Sequence, residues 1–189
     1  MLSRILPVIA VAMVLAMVAP IHAAPVPVNV ALYADVTASG ATTGSALASP
    51  GEIVDGNYNT SHQFYGTKNG TKNTGWWLID LGAAYTVDHA YHRAYDSRYT
   101  ITEYSILGKL NEGDDFTNLI TVLGNNSFED DAYFPATEVR YVKFDVLDCE
   151  YSAPALREFE LYTPEPTTMS LLALGGLALL RRRRTARSC

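Results

Sequence analysis

The middle of the chain consists of short runs in which apolar and polar residues alternate. In residues 139–146, VRYVKFDV, the positions Val142, Phe144 and Val146 share one side and polar or amphipathic residues take the other. This period of two is typical of a β-strand with one buried face, and no long segment shows the 3.6-residue period of a helix. The pattern therefore predicts an all-β domain built as a sandwich or jelly roll. The further predicted strands are residues 76–81, which Gly82 is expected to end, and residues 85–95, 101–107, 119–123 and 156–162.

The N-terminus has the three-part pattern of a secretory signal peptide. Arg4 supplies a positive charge, residues 5–18 are almost wholly apolar, and Pro20 precedes the small residues Ala23 and Ala24. We predict a signal peptide at residues 1–23 that is cleaved after Ala23, followed by a short linker at 24–28. The alternative is an uncleaved N-terminal anchor, which the shortness of the apolar run disfavours.

The C-terminus, PEPTTMSLLALGGLALLRRRR at 164–184, is a weak membrane anchor. Its apolar run, 169–180, is 12 residues long, whereas a spanning helix needs about 20, and the arginines should remain in the cytoplasm. The order of Pro164-Glu165-Pro166, apolar stretch and arginine cluster resembles the PEP-CTERM sorting signal. That resemblance implies that residues 163–189 anchor the chain transiently in the inner membrane until an exosortase cleaves near Pro164, Glu165 and Pro166. The domain would then reach the cell surface or the exterior; the alternative is a permanent tail anchor.

The exported part of the chain is strongly acidic. Residues 24–162 contain 8 Lys and Arg and 19 Asp and Glu, so their net charge is 8 − 19 = −11. This charge disfavours nucleic acid, anionic lipid and anionic polysaccharide as partners, but it is compatible with neutral sugars and with bound cations. The 139 residues suffice for one compact domain. Cys149 is their only cysteine, so the domain contains no internal disulfide.

Four segments carry a second family resemblance. They are VDGNYNTSH (54–62), WWLIDLGAAYTVDH (76–89), VRYVKFDV (139–146) and LREFELY (156–162). Their order resembles that of discoidin domains, also called coagulation-factor C-type domains, which overlap the family 32 carbohydrate-binding modules. The resemblance spans residues 29–162 and implies a single galactose-binding-like jelly-roll β-sandwich with ligand loops at one end. At His62 this chain departs from the family, which usually has tryptophan there; the imidazole either packs in the core, which we favour, or faces ligand.

Two loops combine aromatic and polar residues as sugar sites do. An aromatic ring packs on the C–H surface of a sugar, and Arg, Asp, Asn and Gln bind its hydroxyls. In the predicted loops 62–75 and 93–99, the candidate ligand residues are Gln63, Phe64, Tyr65, Arg93, Tyr95, Asp96 and Arg98. Taken singly, the tyrosines could equally be core residues and an arginine could pair with Asp96. The prediction is a carbohydrate-binding module for a neutral glycan or exopolysaccharide; the alternative is a structural matrix protein without a specific ligand.

The sequence gives no sign of catalysis. The carboxylates at 114–115 and 129–131 are adjacent in sequence, whereas glycoside hydrolysis needs two across a cleft. His89 and His92 lie three apart on a predicted strand and should point to opposite faces. We find no Ser/His/Asp order, zinc spacing or phosphate loop, and we expect a protein that is not an enzyme.

The turn around Gly56 predicts a structural calcium ion. Asp55 and Asn57 can aim a carboxylate and a carbonyl inward, and Thr60 can add its hydroxyl and carbonyl. Calcium takes 6–8 oxygen ligands, more than one turn supplies. The discoidin resemblance implies that the others are the Glu52 carbonyl, the Glu158 side chain and the Arg157 carbonyl beside it. The alternative is that Asp55 only caps the turn and Glu158 forms a surface ion pair.

Overall fold

The computed structural model describes residues 27–40 and 49–165 of the chain. Within them, Pro27–Pro164 forms one compact unit with its own apolar core. The predicted signal peptide at 1–23, most of the linker at 24–28 and the tail from Pro166 onward lie outside the described residues. No helix in the described ranges is long and apolar enough to cross a membrane.

The described chain is built of antiparallel strands, as the sequence predicts, and its architecture is a jelly-roll sandwich. Two 3₁₀ helices, Pro50–Val54 and Ser97–Tyr99, interrupt the strands. The strand order is β2-β8-β4-β7-β5-β6, with β1 and β3 paired to β4. The strands are β1 Asp35–Ala38, β2 His62–Gln63, β3 Thr67–Asn69, β4 Lys72–Ala94, β5 Ile101–Lys109, β6 Thr117–Leu123, β7 Glu129–Cys149 and β8 Ala155–Tyr162.

Two long strands, β4 and β7, each contribute to both layers. Residues 75–80 of β4 pair with 141–146 of β7, while residues 85–93 of β4 pair with 129–139 of β7 and also with β8. The prediction that Gly82 ends a strand is therefore wrong. Gly82 takes a positive φ of 75°, its N–H donates to Asp80 Oδ1 at 2.9 Å, and the strand resumes after a register shift between Asp80 and Tyr85.

The core lies between the two layers and is centred on aromatic rings. Trp77, Phe144 and Phe159 are fully buried. The ring centre of Phe144 lies 6.2 Å from that of Trp77 and 5.4 Å from that of Phe159. Val142, Phe144 and Val146 all face this core, as the alternation predicts. The alternation in β8 is less regular: strict alternation would place Leu156 on the side of Glu158, but a register shift where β8 pairs with Arg93 and Ala94 turns Leu156 into the core.

One histidine of the core makes the stability sensitive to acid. His92 is 2% exposed, packs against the rings of Tyr104 and Phe144, and leaves Nε2 without a hydrogen-bond partner. Burial lowers the pKa of His92 to about 4. Because the unfolded chain takes up this proton near pH 6.5 and the folded chain only near pH 4, stability present above pH 6.5 is lost as the pH falls through this window.

We therefore expect the variant His92→Phe to reduce the pH dependence of stability. Between pH 7 and pH 5 the free energy of unfolding of the wild type should fall by about 2 kcal/mol more than that of the variant. Urea unfolding of both proteins at several pH values measures this difference, and other titrating groups cancel because both proteins contain them. Parallel curves would show that His92 does not titrate in this way.

Candidate functional site

The predicted calcium loop is a tight turn held by its own side chains. Asp55 Oδ1 accepts the N–H of Asn57 at 2.8 Å, and Asn57 O accepts the N–H of Thr60 at 3.0 Å. Gly56 takes a positive φ of 73° between them, which glycine adopts without steric cost. The turn therefore brings the predicted oxygen ligands of this segment to the same side.

Four oxygens converge on the hydroxyl of Thr60. Thr60 Oγ1 lies 2.6 Å from Asn57 O, 2.9 and 3.0 Å from the two carboxylate oxygens of Asp55, and 3.5 Å from Glu52 O. A hydroxyl has one proton to donate, so it satisfies only one of these acceptors at a time. Such a cluster of carboxylate, carbonyl and hydroxyl oxygens has the donor chemistry that calcium prefers.

Glu158 of β8 contacts the same turn. Its side chain is fully buried, Oε1 accepts the N–H of Gly56 at 3.3 Å, and Oε2 is buried without a hydrogen-bond partner. Burial raises the pKa of Glu158 to about 7. The alternative of a surface ion pair is therefore wrong for Glu158, and the orphaned oxygen fits a cation ligand.

Arg157 ties the calcium loop to the neighbouring loops. Its Nη1 donates to Tyr58 O at 2.9 Å, its Nε donates to Tyr95 O at 2.8 Å, and its guanidinium lies 4.4 Å from the centre of the Tyr95 ring. The described residues contain no group of three or more His, Cys, Asp or Glu side chains placed to hold a metal. A cation here would rely on carbonyls as well as on Asp55 and Glu158, and the role of the Arg157 carbonyl stays a prediction.

Three chain segments meet at one end of the sandwich. The N–H of Tyr95 donates to Ala155 O at 3.1 Å, and the N–H of Phe64 donates to Pro154 O at 3.3 Å. These bonds bring residues 62–66, 95–99 and 151–155 together in what we call the loop end. The predicted loop 62–75 is not irregular throughout, because it contains β2, β3 and the start of β4.

The loop end presents several tyrosines to solvent. Tyr99 lies between two of them, with its ring centre 5.4 Å from that of Tyr95 and 4.7 Å from that of Tyr151. Tyr65, Tyr95 and Tyr151 are 69%, 39% and 47% exposed. This arrangement supplies aromatic faces at the place where the sequence predicts a ligand site.

Two of the predicted ligand residues are part of the framework instead. Phe64 is fully buried with its ring centre 4.5 Å from that of Trp77, so the prediction that it faces ligand is wrong. Its position alternates with the exposed Tyr65, which turns Phe64 inward. Arg93 lies over the rings of Tyr58 and Phe128 and pairs with Glu129 at 3.2 Å, so it braces the outer sheet face.

The remaining predicted ligand residues lie at the loop end. Asp96 caps the 3₁₀ helix at Ser97–Tyr99 and pairs with Arg98 at 2.7 Å, and this pairing lowers the pKa of Asp96. The alternative of an arginine paired with Asp96 is thus confirmed for Arg98. Gln63 is half-buried on β2 beside Ala155. Sequence reasoning missed Tyr151, although its position between Cys149 and Pro154, just after a predicted strand, was a signal for a loop aromatic.

His62 lies in the core and not in the loop end. It is fully buried, and its Nδ1 accepts the indole N–H of Trp77 at 2.9 Å. Burial lowers the pKa of His62 to about 4, which keeps the imidazole neutral and able to accept at neutral pH. The packing interpretation of this departure from the family is confirmed.

Comparison with known proteins identifies the family of this chain. The sequence profile of the F5/8 type C domain matches residues 35–159. The chain belongs to the F5/8 type C family. A PEP-CTERM protein-sorting motif matches residues 163–184. A comparison with curated protein sequences gave no match.

Solved structures share the discoidin fold of this chain. Chitosan-binding module 2 of a chitosanase/glucanase from Paenibacillus sp. IK-5, solved with chitotriose, is 24% identical with a TM-score of 0.61, and the match covers 71% of this chain and 99% of that one. The CBM32-1 and CBM32-2 domains of Clostridium perfringens ZmpB, solved with GalNAc, are 19% identical with a TM-score of 0.63, and the match covers 73% and 36%. CpGH89CBM32-5 from Clostridium perfringens, solved with GalNAc-β-1,3-galactose, is 16% identical with a TM-score of 0.61, and the match covers 73% and 100%.

Proposed function

We propose that this protein is an exported module that binds a neutral glycan or exopolysaccharide through its loop end. The observation that carries the proposal is the group of exposed tyrosines on three adjoining segments, Tyr65, Tyr95 and Tyr151, with Tyr99 packed between the last two. Aromatic faces with nearby polar groups are the usual elements of sugar recognition. Three solved structures of the same fold hold a sugar, which supports a carbohydrate as the class of ligand.

The loop end has its polar groups held in place. Arg157 fixes the backbone of Tyr95 and lies against its ring, and the Asp96–Arg98 pair holds the first turn of the adjacent 3₁₀ helix. Arg98 keeps its guanidinium at the surface, with 75% of its side chain exposed. A site that is ordered before binding loses less entropy when ligand binds.

We expect the double variant Tyr95→Ala, Tyr151→Ala to weaken glycan binding by at least about tenfold, because each change removes one stacking face. The measurement is a glycan array, including the polysaccharide of the producing organism, followed by calorimetry on the best ligand with the chain 24–164. The matched control is Tyr85→Ala, which removes a half-exposed tyrosine of β4 away from the loop end. The absence of any binding would favour a structural matrix protein without a specific ligand, and unchanged binding by the double variant would move the site elsewhere.

The last strand of the compact unit leads away from the loop end. β8 runs from Ala155 at the loop end to Tyr162, eight residues or about 25 Å away. There the N-terminal segment pairs with the end of the domain: Thr163 N–H donates to Val28 O at 3.2 Å, and Asn29 bridges to Tyr162. The compact unit thus ends at Pro164, at the pole opposite the loop end.

The sorting part of the proposal predicts a defined mature protein. We expect protein from the native host to begin at Ala24 and to end near the Pro-Glu-Pro motif at 164–166, because a 12-residue apolar run is a poor permanent anchor. Intact-mass measurement on the exported protein decides this. A mass that corresponds to a chain with residues 181–184 retained would show that the tail is a permanent anchor.

A further inference from the structure

The outer face of the sheet carries a row of stacked rings that the loop end does not include. Tyr133 of β7, His89 of β4 and Tyr162 of β8 lie opposite one another in register. The ring centres of His89 and Tyr133 are 4.2 Å apart with planes at 1°, and those of His89 and Tyr162 are 5.0 Å apart with planes at 16°. The three rings form one continuous stack across three strands.

The free end of this stack is Tyr133. Residues 129–139 of β7 pair with β4 on one side and, within the described residues, with no strand on the other. Because His89 covers only one face of the ring, the opposite face is open, and Tyr133 is 69% exposed. An open aromatic face at a sheet edge is a surface on which a pyranose ring can stack.

A carboxylate accompanies this ring at a fixed position. Asp131 lies two residues before Tyr133, so its side chain points to the same face of β7 about 7 Å away. Asp131 Oδ1 accepts from His89 Nε2 at 2.8 Å, and its side chain is 57% exposed. His89 therefore holds both Tyr133, by stacking, and Asp131, by a hydrogen bond, so the pair is ordered before any ligand arrives.

The charges on this face favour a cationic ligand. Asp131 has no Lys or Arg partner among the described ion pairs, and Glu160, which lies across Tyr91 from Asp131, accepts from the hydroxyls of Tyr58 and Tyr162. The one arginine of the face, Arg93, is already paired with Glu129. The surrounding domain carries a net charge of −11, which attracts cations.

We propose that Tyr133 and Asp131 form a second glycan site, selective for a sugar polymer with free, protonated amino groups. The sugar ring stacks on the open face of Tyr133 while its ammonium group pairs with Asp131, and His89 acts as the positioning residue for both. This site lies on the sheet face and is independent of the loop end. Charge complementarity sets its selectivity, so an N-acetylated polymer of the same length binds it poorly.

The test compares glucosamine hexamer with N-acetylglucosamine hexamer on the chain 24–164, which contains the whole compact unit. We expect the amino sugar to bind more tightly, with an affinity that falls as salt is raised. Tyr133→Ala and Asp131→Asn should each weaken this binding by about tenfold. Chemical shift changes on titration should map to β7 and β4 around residues 89 and 131–133.

Two controls separate this site from the loop end. Tyr85→Ala removes another exposed tyrosine and should leave the affinity for the amino sugar unchanged. The loop-end double variant Tyr95→Ala, Tyr151→Ala should also leave it unchanged, while it weakens binding of a neutral glycan by at least about tenfold. Equal affinity for the two hexamers, or full affinity in folded Tyr133→Ala and Asp131→Asn, would overturn the second site without touching the proposal for the loop end.

Discussion

Chelation of calcium is expected to lower the melting temperature of the chain 24–164 by about 10 °C. A ligand that binds only the folded state at 100 times its dissociation constant stabilises that state by about 2.7 kcal/mol, and each kcal/mol corresponds to about 4 °C for a domain of this size. The ion would lie among Thr60, the Asp55 carboxylate and Glu158, joining the turn to β8 across about 100 residues of chain. The ion would also contact Glu158 Oε2, which is buried and has no hydrogen-bond partner.

The pH dependence of this effect has a definite sign. Because burial raises the pKa of Glu158 to about 7, the metal-free protein is stabilised while Glu158 is protonated and loses that stability as the pH rises from about 4.5 through 7. Calcium needs the ionised carboxylate. The stabilisation by calcium should therefore grow as the pH rises from 5 to 8.

Two variants test the site, with thermal unfolding measured in calcium and in chelator. Asp55→Ala should unfold at the same temperature in both, and somewhat below the wild type in chelator, because the turn also loses the acceptor of the Asn57 N–H. Glu158→Gln keeps the shape of the side chain and removes its charge. At pH 8 this variant should be at least as stable as the metal-free wild type. Its melting temperature should not respond to calcium. Equal midpoints for the wild type with and without calcium would refute the ion and leave Glu158 as a protonated core residue.

The fold was predictable because alternation is a local signal. The runs at 139–146 and 119–123 lie within strands at the expected places, since a half-buried strand needs an apolar residue at every second position. The continuity of β4 through Gly82 was not predictable, because a glycine in a strand pattern is compatible with a bulge as well as with the end of the strand. What decides the outcome is the pairing of both halves of β4 with β7, which is a long-range contact.

The candidate sites were predictable in part for the same reason. The calcium loop follows from adjacent residues, so Asp55, Asn57 and Thr60 come together as expected. The burial of Phe64 depends on where Trp77 lies, and the stack of His89 depends on the register of three strands. The spacing of residues within one segment does not show which strands pair or in which register.

Trp77 is the largest of the fully buried side chains in the described residues. It is fully buried, its ring centre lies 4.5 Å from that of Phe64 and 6.2 Å from that of Phe144, and its indole N–H donates to His62. Trp77→Ala should lower the free energy of unfolding by about 3–5 kcal/mol, because it leaves a large cavity in a close-packed core. That loss is a large part of the total stability of a typical domain, which is about 5–15 kcal/mol.

The hydrogen bond to His62 should account for a separable share of this loss. Trp77→Phe keeps an aromatic ring but removes the indole donor, so it should cost about 1–3 kcal/mol, less than Trp77→Ala. A double-mutant cycle with His62→Leu, measured by urea unfolding at pH 7.5, should give a coupling energy of about 1 kcal/mol between the two positions. Strictly additive losses would show that the imidazole only fills space beside Trp77, and that the hydrogen bond contributes nothing to the stability of this core.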